Sequence, residues 1–390
     1  MRTVTVSAGF IPLLDAAPLI VAHEMGFAVE EGIALDLRPA PSWSSLRDML
    51  SFGQVDAAHM LSAVPVAAAM GLGGAGTRLS AVQVLSVNGN VIGVNRDLDL
   101  KLRDAGHKFG FNDPAKAAAD LRAAHDGPLR IGVPFPFSMH AELVSYWLSA
   151  CGWNLHEDLD IRTIPPPLMG DAIAAGEIDA FCVGEPWGTR AVDQSRAALL
   201  LPGSAIWQFA PEKVLAVRED WADTERSLLF RLIRSIWRAG RWLSQPTSAG
   251  LAAEMLGRPE YLNLPPDMLE RPLMGKITVS NRGEMRLVPG FVEFHRGAAA
   301  FPWRSQADWI ARHLAARAGK DITRARHEAR AVYRPDLYRA AMAGTGSDLP
   351  GASAKLEGSL REDTPVASAA GHVILTPNSF FDGRIFDPST

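Results

Sequence analysis

The sequence predicts an α/β protein of two lobes with a ligand cleft between them, and three observations carry that prediction. Short apolar strands alternate with helix-forming segments, the rhythm of a parallel sheet covered by helices. The rhythm comes in two blocks, joined by a long apolar strand from Ser80 to Val94. Finally, 390 residues suffice for two to three domains, and 47% hydrophobic with 21% charged residues describes a globular chain rather than a disordered or fibrous one.

In the first block the polar–apolar alternation of Met1 to Val6 reads as a strand, over Thr3 to Ser7, feeding a loop at Gly9 and Pro12. A helix over Ala16 to Met25 and a strand over Ile33 to Leu37 follow. Ser42 is placed to cap a helix over Trp43 to Phe52, its hydroxyl accepting an orphan backbone N–H. Val55 to Met60 reads as a strand running into a turn, then comes a helix through Met70. The second block repeats the pattern: helix Pro114 to His125, strand Leu129 to Val133, helix Ser138 to Cys151, strand Asp160 to Ile164, helix Pro167 to Gly176 and strand Ile178 to Val183. Lys213 to Val217 forms a further strand before a long helix from Thr224 to Leu243. From Ala340 to Ala370 Gly, Ala, Ser and Pro dominate, which predicts a partly extended tail closed by a more structured Val373 to Phe381.

A net charge of −4 gives no electrostatic footprint for binding nucleic acid or an anionic membrane with the whole surface, so any anion must be caught by local groups. Cys151 and Cys182 are too few for a disulfide framework, zinc ribbon or iron–sulfur cluster and read as buried small hydrophobes. Neither a signal-peptide apolar run nor a membrane-spanning stretch is seen, so a soluble cytoplasmic protein is expected.

Several motifs invite a functional reading and fail on context. Gly71 to Gly76 satisfies G-x-G-x-x-G, but a helix precedes it and a strand follows, the reverse of a dinucleotide site, so it reads as a flexible connector. No phosphate loop, H-E-x-x-H or G-x-S-x-G elbow occurs. Arg226, Arg231, Arg234, Arg238 and Arg241 line one helix face opposite Leu229, Leu232, Ile233 and Ile236, and read as the solvated side of a core helix. Of ten histidines, His140 differs: it opens a helix just beyond a strand, where α/β folds place ligands and where helix N-termini attract anions.

Five segments read together are specific: Pro41 to Asp48, Asp56 to Leu61, Val87 to Asn90, Phe181 to Trp187 and Pro211 to Leu215. With His140 they resemble the nitrate-binding proteins of bacterial ABC importers and their relatives, over about residues 3 to 310. The resemblance implies the type II periplasmic-binding-protein-like fold, with residues 1–88 and 212–390 in lobe I and 89–211 in lobe II. It also implies ligand contacts at Trp43, Asn90, His140, Gly184 and Lys213, with Asn90 standing where the family has a glutamine, one methylene longer. Those residue types suit a planar monoanion, which needs converging donors, one cation and a dry pocket. Lys213 supplies the charge, Trp43, His140 and Asn90 the donors, and Gly184 close backbone approach. An anion and a buried lysine would satisfy each other. Bicarbonate-binding relatives replace the cation by an acidic group and a metal, which Lys213 argues against.

The early first strand shifts the resemblance toward the cytoplasmic nitrate/nitrite sensors of the NasS type. Such sensors hold an RNA-binding antiterminator of the NasT type and release it on binding nitrate or nitrite. The implied protein is therefore a sensor in nitrate assimilation that touches neither nucleic acid nor membrane itself, needs no cofactor or metal and is no enzyme, with an importer's substrate-binding component as the alternative. Thiamine-pyrimidine synthesis on a similar fold would need a reactive donor residue and a metal or cofactor site, and nitrate reduction would need redox cofactors. No ligation motif for either is present.

Overall fold

A computed structural model of the protein describes residues 3–73, 76–368 and 371–390. Met1 and Arg2 of the first expected strand, Gly74 and Ala75 of the glycine-rich connector, and Ala369 and Ala370 of the expected tail lie outside the described residues.

The strands are β1 (Val4–Phe10), β2 (Ile33–Pro39), β3 (Ala57–Leu61), β4 (Leu79–Asn88), β5 (Asn90–Asn95), β6 (Leu129–Val133), β7 (Leu159–Thr163), β8 (Ala180–Gly184), β9 (Ala197–Pro202), β10 (Pro211–Arg218), β11 (Lys276–Thr278), β12 (Met285–Leu287), β13 (Val292–Glu293), β14 (Thr364–Ala367) and β15 (His372–Leu375). A six-stranded sheet runs β13-β4-β10-β3-β1-β2 and a five-stranded sheet runs β7-β6-β8-β5-β9, giving the two lobes of a periplasmic-binding-protein-like fold.

Two features depart from the expected parallel sheets. The apolar stretch Ser80 to Val94 is two strands, not one, because Asn88 (φ 60°) and Gly89 (φ 96°) turn the chain out of one sheet and into the other. Each strand that enters a sheet after a crossing also runs against its neighbours: β5 is antiparallel to β8 and β9, and β10 to β3 and β4. Both sheets are therefore mixed.

Helices cover both sheets, and their starts follow the local chemistry. Ser42 caps the helix Trp43–Ser51, its Oγ accepting from Ser45 N at 3.1 Å. Ser138 likewise caps the helix Met139–Ala150, accepting from Ala141 N at 3.2 Å. The arginine-rich helix Arg226–Leu243 buries Leu229, Leu232, Ile233 and Ile236, and its basic side meets Glu31 through Arg234 (2.8 Å) and Glu30 through Arg238. Cys182 is buried, but Cys151, at the end of its helix, is only half-buried. No helix among the described residues is long and apolar enough to cross a membrane.

The C-terminal region begins with helices Arg304–Arg317, Ile322–Ala329 and Pro335–Met342; beyond the last of these the expected tail is largely irregular backbone, as its composition implies, until the hairpin β14–β15. Its last residues lie across both lobes: Phe380 packs on Trp207, Trp309 and Tyr146, and the Tyr146 hydroxyl donates to Asp382 Oδ1 at 2.9 Å. Aromatic area, not periodicity, holds this segment.

Candidate functional site

The candidate site lies at the carboxyl ends of the strands, where an open α/β sheet leaves a crevice. Asp15 sits in the turn after β1, Trp43 opens the helix after β2, and His59 lies within β3. From the other lobe come His140, second residue of the helix after β6, and Gly184, the last residue of β8, which is paired with Asn90 at the start of β5. Glu212 and Lys213 stand side by side near the start of β10. Successive strand side chains normally point to opposite faces, but the register of β10 against β4 shifts between Pro211 and Lys213 and again after it. This irregularity lets both side chains reach one site.

All five residues expected from the sequence come together. The Lys213 ammonium lies 5.4 Å from the centre of the Trp43 ring and 2.9 Å from Glu212 Oε1. Asn90 Nδ2 donates to Glu212 Oε2 at 2.7 Å, and His140 Nδ1 lies 3.2 Å from Glu212 Oε1 without the alignment of a hydrogen bond. A Cβ at Gly184 would stand 3.8 Å from both His140 Nε2 and Asp15 Oδ2, so the missing side chain leaves the centre of the site open. None of the titratable members is more than 2% exposed.

Three members escaped sequence reasoning: Asp15, His59 and Glu212. Asp15 Oδ2 accepts from Lys213 Nζ at 2.7 Å, and Asp15 Oδ1 meets His59 Nε2 at 2.9 Å. The available signal was chemical isolation, since Asp15 is the lone charge between Phe10 and Ala22 and His59 the lone polar residue of β3. Lys213 is thus already paired with two carboxylates of this chain, not left waiting for an external anion as the sequence reading has it.

Burial and the lysine set the protonation states. Burial pushes the Asp15 carboxyl up, but the Lys213 ammonium and His59 outweigh it and hold Asp15 far below the usual carboxylate range. Burial pulls Lys213 down, yet Asp15 and Glu212 together hold it above its ordinary value. For Glu212 burial wins over the pull of Lys213, and its pKa is raised. Burial, with Lys213 adding to it, drives His140 well below the usual histidine range, and burial lowers His59 too. Asp15 and Lys213 form the ionised pair, and both imidazoles are neutral.

Trp43 Nε1, His59 Nδ1, Asn90 Oδ1 and both ring nitrogens of His140 are buried without a hydrogen-bond partner. Each such atom costs about 1–3 kcal/mol in a dry interior, so their concentration here marks a place built to bind something. Asn90 is fixed from behind: a Cβ on Gly203 would stand 1.8 Å from Asn90 Oδ1, so only glycine leaves room for this amide. Among the described residues no group of three or more His, Cys, Asp or Glu side chains is arranged to hold a metal ion.

Residues 2–257 match the NMT1-like family. The chain belongs to the NMT1-like family. The nitrate/nitrite binding protein NrtA of Synechococcus elongatus is 29% identical over 98% of this chain and 83% of its own length. The crystal structure of the periplasmic nitrate-binding protein NrtA from Synechocystis PCC 6803 superposes with a TM-score of 0.84 at 26% identity, covering 99% of this chain and 96% of that one. The nitrate import ATP-binding protein NrtC of Synechocystis is 31% identical over 87% of this chain, which spans about half the length of that relative (50%).

Proposed function

We propose that this NMT1-like chain binds nitrate or nitrite, without chemical change, between its two lobes. The observation that carries the reading is the set of unpartnered buried donors, Trp43 Nε1 and His140 Nε2, beside Lys213 and the open face of Gly184. A planar anion accepts in its plane from such donors and is drawn to the ammonium. The similarity to NrtA proteins over nearly the whole chain supports this ligand class. Calorimetric titration with nitrate, nitrite, bicarbonate and sulfate tests it: one nitrate per chain at micromolar strength, about −8 kcal/mol, is expected, and no heat with nitrate or nitrite at millimolar concentration overturns it.

We extend the proposal to a cytoplasmic sensor of the NasS type, which holds an antiterminator of the NasT type until ligand binds. Support comes from the resemblance of the sequence motifs to nitrate-binding proteins as a group, which includes such sensors, and from the two-lobed form. A surface spanning two lobes changes shape when they close, so a partner that prefers the open form loses affinity. Co-purification from cells grown without nitrate should recover the antiterminator, and nitrate or nitrite should elute it. The second reading, the substrate-binding component of a nitrate importer, is favoured by the similarity to NrtA over 98% of this chain. Recovery of the protein from the periplasm, or a complex that survives saturating ligand, would decide for it.

A further inference from the structure

Two carboxylates share one ammonium in this site, and that charge balance has a consequence for any anion that binds there. With Asp15, Glu212 and Lys213 all ionised, the buried cluster already carries one excess negative charge. A bound nitrate would add a second in a volume that holds no water-exposed counter-ion. We propose, on the reading that the site binds nitrate, that the anion is taken up together with one proton and that Glu212 holds that proton. The negative charge lost by Glu212 is then the charge that the anion brings, and the net charge of the cluster does not change.

Geometry selects Glu212 over the other titratable groups that face it. Asp15 is gripped from both sides, by Lys213 at 2.7 Å and by His59 at 2.9 Å, and both contacts favour its ionised form. Glu212 shares Lys213 at the longer 2.9 Å, accepts a hydrogen bond from the neutral amide of Asn90, and has the unpartnered His140 Nδ1 at 3.2 Å, close enough to accept a hydrogen bond that a protonated Glu212 Oε1 would donate. Burial has already raised its pKa. Cys182 on β8 and Tyr333, the remaining groups that sense the Glu212 charge, are held neutral by burial. His140 and His59 lie below their ordinary range through burial, and a new positive charge on either would stand close to Lys213. No bond to the anion forms or breaks: the proton comes from solvent, and nitrate, the anion of a strong acid, does not carry it.

Calorimetric titration of nitrate into the full chain in buffers of differing ionisation heat, from about pH 6 to about pH 9, tests this by linkage. The expected result is an uptake that approaches one proton per nitrate at the alkaline end, where affinity falls about tenfold per pH unit. Glu212→Gln, which mimics the protonated acid in shape, should bind with near-zero uptake and a flat pH profile, whereas His59→Gln, whose ring contacts Asp15 rather than the open face of the site, should retain the uptake. Binding without proton uptake across the whole range overturns the inference and leaves the nitrate reading standing, as does uptake that persists in Glu212→Gln or vanishes only with a histidine. Absence of nitrate binding in the parent chain at every pH overturns the nitrate reading itself, and this inference with it.

Discussion

Lys213 carries the charge balance of the site, and its loss should show in stability as well as in binding. Lys213→Met keeps the length of the side chain while leaving Asp15 and Glu212 buried without their cation. Breaking a buried pair from one side costs about 3–5 kcal/mol, so urea unfolding near neutral pH should show a loss of that order. The loss should shrink as pH falls, because Asp15, no longer held down by Lys213, can take up a proton instead. Equal stability of variant and parent would show that the pair is not what keeps Asp15 ionised. Glu185, buried just beyond β8, gives a second prediction. Burial lifts its pKa from the usual 4.5 to about 7, against the pull of the Thr189 N–H it accepts. Since the folded pKa lies above the unfolded one, the folded state binds this proton more tightly. The stabilisation is fully present below about 4.5 and is lost as pH rises through about 7, by about 3 kcal/mol. Urea midpoints between those limits should fall in the parent and fall less in Glu185→Gln; parallel profiles would refute the assignment. Neither Asp15 nor Glu185 was legible as a site or strain point from sequence, because one buried charge in an apolar run looks like any other until its partner, nearly two hundred residues away for Asp15 and Lys213, is known.

Elements were the most legible level, where local chemistry decides them. The caps Ser42 and Ser138 stand where hydroxyls before apolar helices predict them, and β6 runs from Leu129 to Val133 as its apolar alternation implies. What failed were features set by tertiary context. The break at Asn88–Gly89 is carried by an Asn-Gly turn pair that the long apolar run on both sides masks, and the irregular register of β10 that brings Glu212 beside Lys213 leaves no mark in the sequence. Ser138 links this scale to the site, since its hydroxyl accepts from Ala141 N and donates to Phe135 O at 2.7 Å, fixing the turn that presents His140. Ser138→Ala should cost about 1 kcal/mol of stability and weaken nitrate binding more than that loss alone explains, because the helix start carrying His140 is then free to shift. Titration calorimetry and thermal unfolding on the same sample check it: a stability loss with unchanged affinity would show that the cap does not position His140.

At the scale of the molecule, the site is closed over. Lys213, His140, Asn90 and Trp43 are at most 2% exposed, so a ligand reaches them only when the lobes part. Among the described residues, besides the Asn90–Glu212 bond within the site, hydrogen bonds cross between the lobes where Leu14 N donates to Glu185 O at 2.9 Å and Trp187 Nε1 donates to Pro12 O at 3.1 Å. On the far side, Arg317 from the C-terminal helices pairs with Glu142 on the His140 helix and donates to Pro136 O at 2.7 Å. The terminal strap around Phe380 adds aromatic area there. That strap holds the back of the His140 helix while the Trp187 contact latches the mouth, so the two should affect different quantities. Loss of one neutral hydrogen bond is worth about 1 kcal/mol, a roughly fivefold shift between closed and open forms. Trp187→Phe keeps most of the ring area and removes the donor, so nitrate should dissociate about fivefold faster with the unfolding midpoint little changed. Phe380→Ala, by contrast, empties a buried aromatic site and should cost about 3–5 kcal/mol of stability. Stopped-flow release of nitrate and urea unfolding on both variants separate the roles. An unchanged release rate in Trp187→Phe would place the latch elsewhere, as at the Leu14–Glu185 backbone contact.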